Sequence, residues 1–503
     1  MKQNERSFLL PSSFFLLPLL VVGCLSLPSV GPDYRETGID PLEFELPDAG
    51  QPTSNLTASC EYVAAGTNDD ARVAVTPELI TRWWTRFNDP VLVSLVEGGI
   101  SNNVSYRIMQ TRLEQAAWEL LGSYAAFLPT FKANGAWRRY WYHPNTGSGG
   151  GSRTHFNVRS ATIDGSWELD IFGGNRRLAE SAMAAAESAG WSVADAWVAL
   201  TTEIGQEYIS LRTMQERIEV ARTNLVLQSE TYEILKSRLD SGIGDELAVN
   251  QCAYVVEQTR ARLPQLLAQE ESLKNALAIL AGEVPGALHE FLRPVNVRRD
   301  WLTTPQKLES LSLDMMRMRP DVRAAERDLA AQTAKIGVAK AQWFPKLYLT
   351  GTVGWENRHR SKLFTADSFL ASLGPSVSWP IFQGGSIYAN VKGAEAKTVE
   401  LALAYELAVE KAYGEVRDAY SSYTQEYHRY KALGSAVKAA ADAVTISKDL
   451  YKNGLKDFNN VLDAQRSRLQ LEEEFVISRG DITQSLIRLY QALGGGFVMD
   501  EAE

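Results

Sequence analysis

The spacing of apolar residues along this chain changes period twice, in the same way each time. From Val322 to Gln342 an Ala-rich run carries no breaker and reads as helix. At Pro345 the helix must stop, because proline lacks an N–H and crowds the preceding turn. Beyond it the residues alternate. Leu347, Leu349, Gly351, Val353 and Trp355 fall on one face, and Lys346, Tyr348, Thr350 and Thr352 on the other. A period of two predicts an amphipathic strand. The stretch Phe127-Leu128-Pro129-Thr130-Phe131-Lys132-Ala133-Asn134-Gly135-Ala136-Trp137 makes the same move earlier.

Extending this pattern over the chain predicts four strands, about 130–141, 156–169, 347–355 and 369–379. Ala161, Ile163, Gly165, Trp167 and Leu169 form one apolar row, and Phe369, Ala371, Leu373, Pro375, Val377 and Trp379 another. Each strand pair is followed by a long uninterrupted helical stretch, Asn175 to Leu239 and then Ser386 to Tyr451. At 1.5 Å per residue each spans ~95–100 Å. Gly-containing turns at Ser241–Asp245 and Lys452–Lys456 lead into further helices, Glu246 to Ala281 and one ending at Leu493. Ile171-Phe172-Gly173-Gly174 is mirrored by Ile381-Phe382-Gln383-Gly384-Gly385, so the chain is a tandem duplication. In each half the two shorter helices sum to nearly the length of the long one. Stacked end to end, they could lie antiparallel beside it. Leu462, Leu469, Val476, Thr483 and Tyr490 recur every seven residues, a seam that winds left-handed around a neighbour. A rod near ~100 Å long is expected.

Four strands cannot close a barrel, and lipid does not tolerate open sheet edges. The strands have the ~9–11 residue length that crosses a bilayer. Three chains would supply twelve strands, an even number within the range of known membrane barrels. Trp137, Trp141, Trp167, Trp355 and Trp379 sit near strand ends, where interface girdles belong. The expected fold class is therefore an α+β membrane protein. Its sheet would close only by sharing, three chains giving twelve strands, beside a long helical rod with an internal repeat.

Composition narrows the function. With 51 Lys+Arg against 61 Asp+Glu, the formal net charge of −10 argues against nucleic acid as a partner. Lys2 and Arg6 precede a short proline-broken apolar run, a secretory signal over residues 1–23. The run ends Val21-Val22-Gly23-Cys24, which resembles a bacterial lipobox and makes Cys24 the expected lipidation site. Residues 24–77 then form an extended leader. The first repeat covers 78–305, the second 306–497, and a tail 498–503. Cys60 and Cys252 do not suggest a disulfide framework. Five scattered histidines, of which only His143 and His155 could meet, offer no metal set and no catalytic constellation. No enzyme activity and no cofactor beyond the covalent lipid at Cys24 are expected.

Several dispersed motifs together carry a resemblance. They are Val30-Gly31-Pro32-Asp33-Tyr34, Trp84 to Pro90, Trp167-Glu168-Leu169-Asp170-Ile171-Phe172-Gly173, Arg319-Pro320-Asp321-Val322, Ile336-Gly337 with Phe344-Pro345, Trp379-Pro380-Ile381-Phe382, Val461-Leu462-Asp463-Ala464-Gln465 and Leu489 to Gly496. In order and spacing they resemble the outer membrane factor family of TolC, OprM and NodT type, in its lipoprotein branch. The resemblance implies a homotrimeric outer-membrane conduit: a trimeric twelve-stranded outer-membrane β-barrel, four strands per chain, continued by a long periplasmic α-helical barrel. Its partners would be outer-membrane lipid, a periplasmic adaptor (a membrane fusion protein) and an inner-membrane pump of the resistance-nodulation-division type. The substrates would be drugs and other small toxic compounds. An outer-membrane partner for type I protein secretion, and a non-conducting envelope scaffold, are the alternatives. The resemblance also places a periplasmic gate at Tyr451, Lys456, Asn460 and Asp463, with Asp245 as the acidic candidate of the first repeat. Tyr451 and Lys456 would hold the second-repeat helix pair against its neighbours, and Asp463 would supply a cation-attracting ring. Asn460 stands where an acidic residue is common, and Lys456 where an arginine is. The turns Gly242-Ile243 and Gly454-Leu455 would dock the adaptor.

Overall fold

The computed structural model describes residues 29–35, 82–142, 154–294 and 318–495. Residues 1–23, Cys24, Cys60, His143 and the tail 498–503 lie outside these. The elements are α1 (Pro90–Asn102), α2 (Val104–Tyr124), β1 (Thr130–Tyr142), β2 (Thr154–Leu169), α3 (Gly174–Asp240), α4 (Glu246–Leu280), α5 (Pro320–Ala341), β3 (Lys346–Asn357), β4 (Phe369–Ser378), α6 (Ser386–Lys452) and α7 (Phe458–Ala492). Contacts divide the chain into two compact units. One comprises residues 1–38, 112–189 and 324–405, and the other 39–111, 190–323 and 406–503.

The first unit holds an antiparallel sheet of order β1-β2-β3-β4. Its register lines up Phe131, Gly165, Gly351 and Leu373 in one row, and Lys132, Asp164, Thr352 and Ser372 in the next. Because neighbouring residues point to opposite faces, one face is apolar and the other polar. Asn134 donates to Asp164 on the polar face (2.5 Å), and Lys346 pairs with Glu168 there (3.0 Å). The outer sides of β1 and β4 have no strand partner among the described residues.

Both helix-to-strand switches are built alike. After α2 and after α5 a single tight turn leads to Pro129 or Pro345. In each case a tryptophan two strands' worth of chain later closes the turn. Trp167 Nε1 donates to the Phe127 carbonyl (2.8 Å), and Trp379 Nε1 donates to the Trp343 carbonyl (3.1 Å). Each acceptor lies two residues before its proline, where a backbone carbonyl left over from the broken helix needs a donor.

Residues 29–35 form a strap across this unit. Val30 N–H donates to the Phe172 carbonyl (3.2 Å). The buried Arg177 binds Asp33 (2.5 Å), Tyr34 donates to Glu326 (3.2 Å), and the Arg327 guanidinium lies over the Tyr34 ring (5.5 Å). The strap comes so close to α5 that a Cβ on Gly31 would stand 2.5 Å from Gly337 Cα. Gly31 also has φ +112°, a conformation that L side chains rarely adopt.

In the second unit, Trp83 is fully buried, stacked on Tyr490 with centroids 6.0 Å apart and pressed against Gly205. Asp89 caps α1 by accepting from Val91 N–H (2.8 Å), and its other oxygen accepts from the Tyr208 hydroxyl (2.6 Å). Leu462, Val476 and Thr483 of the seven-residue seam are buried, and Leu469 and Tyr490 half-buried.

The short helices meet end to end, as their lengths suggest. At the first junction Asn103 serves two helices. Its Oδ1 accepts from Tyr106 N–H (2.9 Å), which caps α2, while its Nδ2 donates to the Leu280 carbonyl (3.0 Å) at the end of α4. At the second junction Arg319, immediately before α5, donates through Nη1 to the Ala492 carbonyl (2.8 Å) at the end of α7. Its guanidinium also holds Asp321 (2.8 Å) and Glu415 (2.6 Å). Pro264 lies inside α4 without ending it, in keeping with the helix expected over Glu246 to Ala281. It is exposed, so water can satisfy the carbonyl it leaves without a partner.

Candidate functional site

The turns that reverse α3 into α4 and α6 into α7 are two copies of one structure in the second unit. At the first, Gly242 N–H donates to Leu239 O (2.9 Å) and Ile243 N–H to Arg238 O (3.1 Å). At the second, Gly454 N–H donates to Tyr451 O (3.0 Å) and Leu455 N–H to Leu450 O (2.9 Å). Both are Schellman motifs with a left-handed glycine, at φ +74° and +71°. The following apolar residue in such a motif commonly folds back onto its helix. Here Ile243 and Leu455 instead stand 71% and 68% exposed. Each turn therefore presents one bare aliphatic side chain at its apex.

Beneath the turns the four helix ends share an apolar core of Leu235, Ala248, Val249, Cys252, Val255, Phe458, Val461 and Leu462, with Tyr232, Leu239 and Tyr451 packed on it. Burial pushes the Cys252 thiol up to about 11, and its Sγ faces the Gln228 carbonyl (3.8 Å), so it is an inert core residue.

Tyr451 sits edge-on to Phe458 (5.2 Å) and beneath the Arg238 guanidinium (5.4 Å), which ties the end of α6 to the end of α3. Asp463 is exposed on the first turns of α7 and faces Arg466 at 3.8 Å. Arg466 in turn lies over the Tyr254 ring of α4 (5.3 Å). Asn460 donates to the carbonyl of Asp457 within its own turn (3.2 Å). Lys456 is exposed at the turn. Asp245 accepts from Leu247 N–H (3.0 Å) and so caps α4. The structure thus pairs Tyr451 with Arg238, and Asp463 with Arg466 and through it Tyr254, three partners that the motifs did not single out. Arg238 lies in the last turn of α3, where a cation complements the helix dipole. That placement was the available signal for it. No group of three or more possible metal ligands occurs among the described residues.

In the first unit, the sheet face carrying Phe131, Ile163, Trp167, Leu349, Val353 and Leu373 has no covering element, and Phe131 and Leu373 are 72% and 78% exposed. An uncovered apolar face opposite a polar one is the surface of a strand set that lies between lipid and water. Among the described residues no helix is long and apolar enough to cross a membrane.

An amphipathic sheet joined twice to long helices defines an outer-membrane channel subunit whose helices extend into the periplasm. The sequence profile of the outer membrane efflux protein family matches residues 100–283 and 314–495, and the chain belongs to that family. It is 30% identical over 462 residues to nodulation protein T of Rhizobium leguminosarum bv. trifolii, covering 89% of each chain. It is 29% identical to outer membrane protein OprJ of Pseudomonas aeruginosa, covering 82% of this chain and 86% of that one. The solved structure of the outer-membrane channel OprN superposes with a TM-score of 0.79 at 30% identity, over 93% of this chain and 99% of that one.

Proposed function

We propose that three copies of this chain close a twelve-stranded barrel and form the outer-membrane duct of a tripartite efflux system. An inner-membrane pump of the resistance-nodulation-division type loads it through a periplasmic adaptor, and small toxic molecules leave passively, without any catalytic step. The observation that carries this reading is the sheet itself. It has one apolar face, one polar face and two edges without strand partners among the described residues, and closure with further copies removes the edges while turning the polar face inward. Efflux naming among relatives supports the cargo class, since a toluene efflux pump outer membrane protein of Pseudomonas putida is 27% identical over 97% of this chain. Cys24, outside the described residues, carries the lipid anchor.

The turns supply the two remaining parts. Ile243 and Leu455, each held out by its glycine, are the adaptor-docking points. Tyr451, Lys456, Asn460 and Asp463 belong to the periplasmic gate, with Asp463 contributing a carboxylate from every copy to a cation-attracting ring. Asp245, engaged as a helix cap, supports the first-repeat turn beside it. Single-channel recording in planar bilayers tests the reading. The full-length protein should conduct with cation preference, and Asp463→Ala should reduce that preference. A protein that never conducts refutes the duct, and unchanged selectivity in Asp463→Ala refutes the ring.

A further inference from the structure

The apolar face of the sheet ends abruptly at its far edge. Following the outward row of β2 from Leu169, next to the helices, the residues are Trp167, Gly165, Ile163 and Ala161, and then Arg159. Arg159 lies ten residues beyond Leu169. At ~3.3 Å per residue and a tilt of 35–45° that is about 25 Å of height, the thickness of the apolar band of an outer-membrane barrel. Arg159 therefore stands where hydrocarbon gives way to headgroups on the side away from the helices. The same outward face carries Trp137 opposite Arg159, Arg139 opposite Asn157, and Trp141 opposite His155. Arg139 is exposed, its guanidinium over Trp141 at 5.4 Å. Arg159 donates to the Arg358 carbonyl (3.3 Å), which fixes it beside the β3–β4 loop, where Arg360 and Lys362 are exposed. Among the described residues Arg139, Arg159 and Lys362 have no carboxylate partner. Glu356 belongs to the opposite face of β3, leaving Asp367 as the acid of the loop.

This is a cationic, aromatic-flanked ledge on a chain whose net charge is −10. We propose that it binds the phosphate groups of the phosphorylated glycolipid that forms the outer leaflet. Guanidinium groups match phosphate oxygens in a bidentate fork, and they are worth more at the edge of hydrocarbon than in open water. Two further features fit a glycolipid. Asn157 Oδ1 is shielded from solvent and has no donor among the described residues, and a sugar hydroxyl would supply one. Below the ledge on the same face, Phe131, Trp167, Leu349 and Leu373 line a shallow apolar cleft of about 640 Å³ over Gly165 and Gly351, a seat for an acyl chain.

The test uses full-length protein in detergent, exposed to purified lipid A with both phosphates or to its dephosphorylated form, with retained lipid counted by native mass spectrometry. The phosphorylated form should be retained at least about tenfold better, and Arg139→Gln/Arg159→Gln should abolish that preference. Lys362→Gln, in a loop, should weaken it in a protein whose fold is not in question. Arg138→Gln, on the opposite face of β1, should leave it intact. Equal retention of the two lipids, unchanged preference in the double variant and in Lys362→Gln, or an equal loss in Arg138→Gln would each overturn the proposal. So would release by EDTA, which marks a bridging cation, or displacement by millimolar inorganic phosphate, which marks a generic anion site.

Discussion

The two junctions between stacked helices do the same job with different chemistry. Asn103 and Arg319 each stand directly before the short helix of their repeat, and each binds the last carbonyl of the helix that returns to it, Leu280 or Ala492. Asn103 is a neutral amide that satisfies one donor and one acceptor. Arg319 is a buried cation that brings Asp321 and Glu415 with it. Burial alone would lower its pKa, but the hydrogen bonds and charges of Asp321 and Glu415 more than compensate and raise it, so the guanidinium stays charged. Duplicated geometry therefore does not require duplicated residues. What persists is a side-chain donor at the place where two helix ends leave carbonyls without partners.

The difference can be broken most forcefully at Arg319. Arg319→Ala removes one carbonyl's donor and leaves two carboxylates facing each other. Discounting for the partial exposure of both partners, the loss should be about 2–3 kcal/mol, visible as a lower thermal midpoint in detergent. Asn103→Ala removes a cap and one further hydrogen bond without leaving a charge, and should cost about 1–2 kcal/mol in the same melt. Salt separates the two more gently. Rising ionic strength should narrow the gap between wild type and Arg319→Ala by screening the exposed Glu415 arm, and leave the Asn103→Ala deficit unchanged.

The smallest effect concerns pH. Beyond the first junction, His289 binds the Gly286 carbonyl through Nδ1 (2.8 Å) and Glu271 through Nε2 (2.6 Å). The Gly286 carbonyl, and then Glu271, raise its pKa above the ordinary 6.5. Its contribution is thus fully present below pH 6.5 and fades as pH rises through the raised value. The midpoint should fall slightly over that window in wild type, and a His289→Gln variant should lose that component of the slope.

The sheet was legible in the sequence because a period of two needs only local residues. β1 and β3 run one and two residues past the expected ends, and β2 begins two residues early. The turns were legible because a left-handed position at a helix end selects glycine. What local pattern could not reveal were partners distant in sequence. Asn103 meets Leu280 across 177 residues, and Arg319 meets Ala492 across 173. Arg238 and Tyr451 come from opposite repeats. The composition of the expected leader, residues 24–77, gave no sign that Gly31 and Asp33 would be held against Gly337 and Arg177. Gly31 belongs to the motif Val30 to Tyr34, but the reason for a glycine there depends on Gly337 of α5, a helix three hundred residues later.

The sheet also sets an order of events for folding. β1–β2 and β3–β4 are hairpins whose pairings begin 12 residues apart, at Tyr142 with Thr154, and 14 residues apart, at Trp355 with Phe369. The central β2–β3 pairing first joins Leu169 to Leu347, 178 residues apart. Loop-closure entropy makes that ring about 2 kcal/mol harder to close than the hairpin of β1 and β2. Loop-closure entropy therefore favours an order in which each hairpin zips within its own repeat and the two halves of the sheet join last.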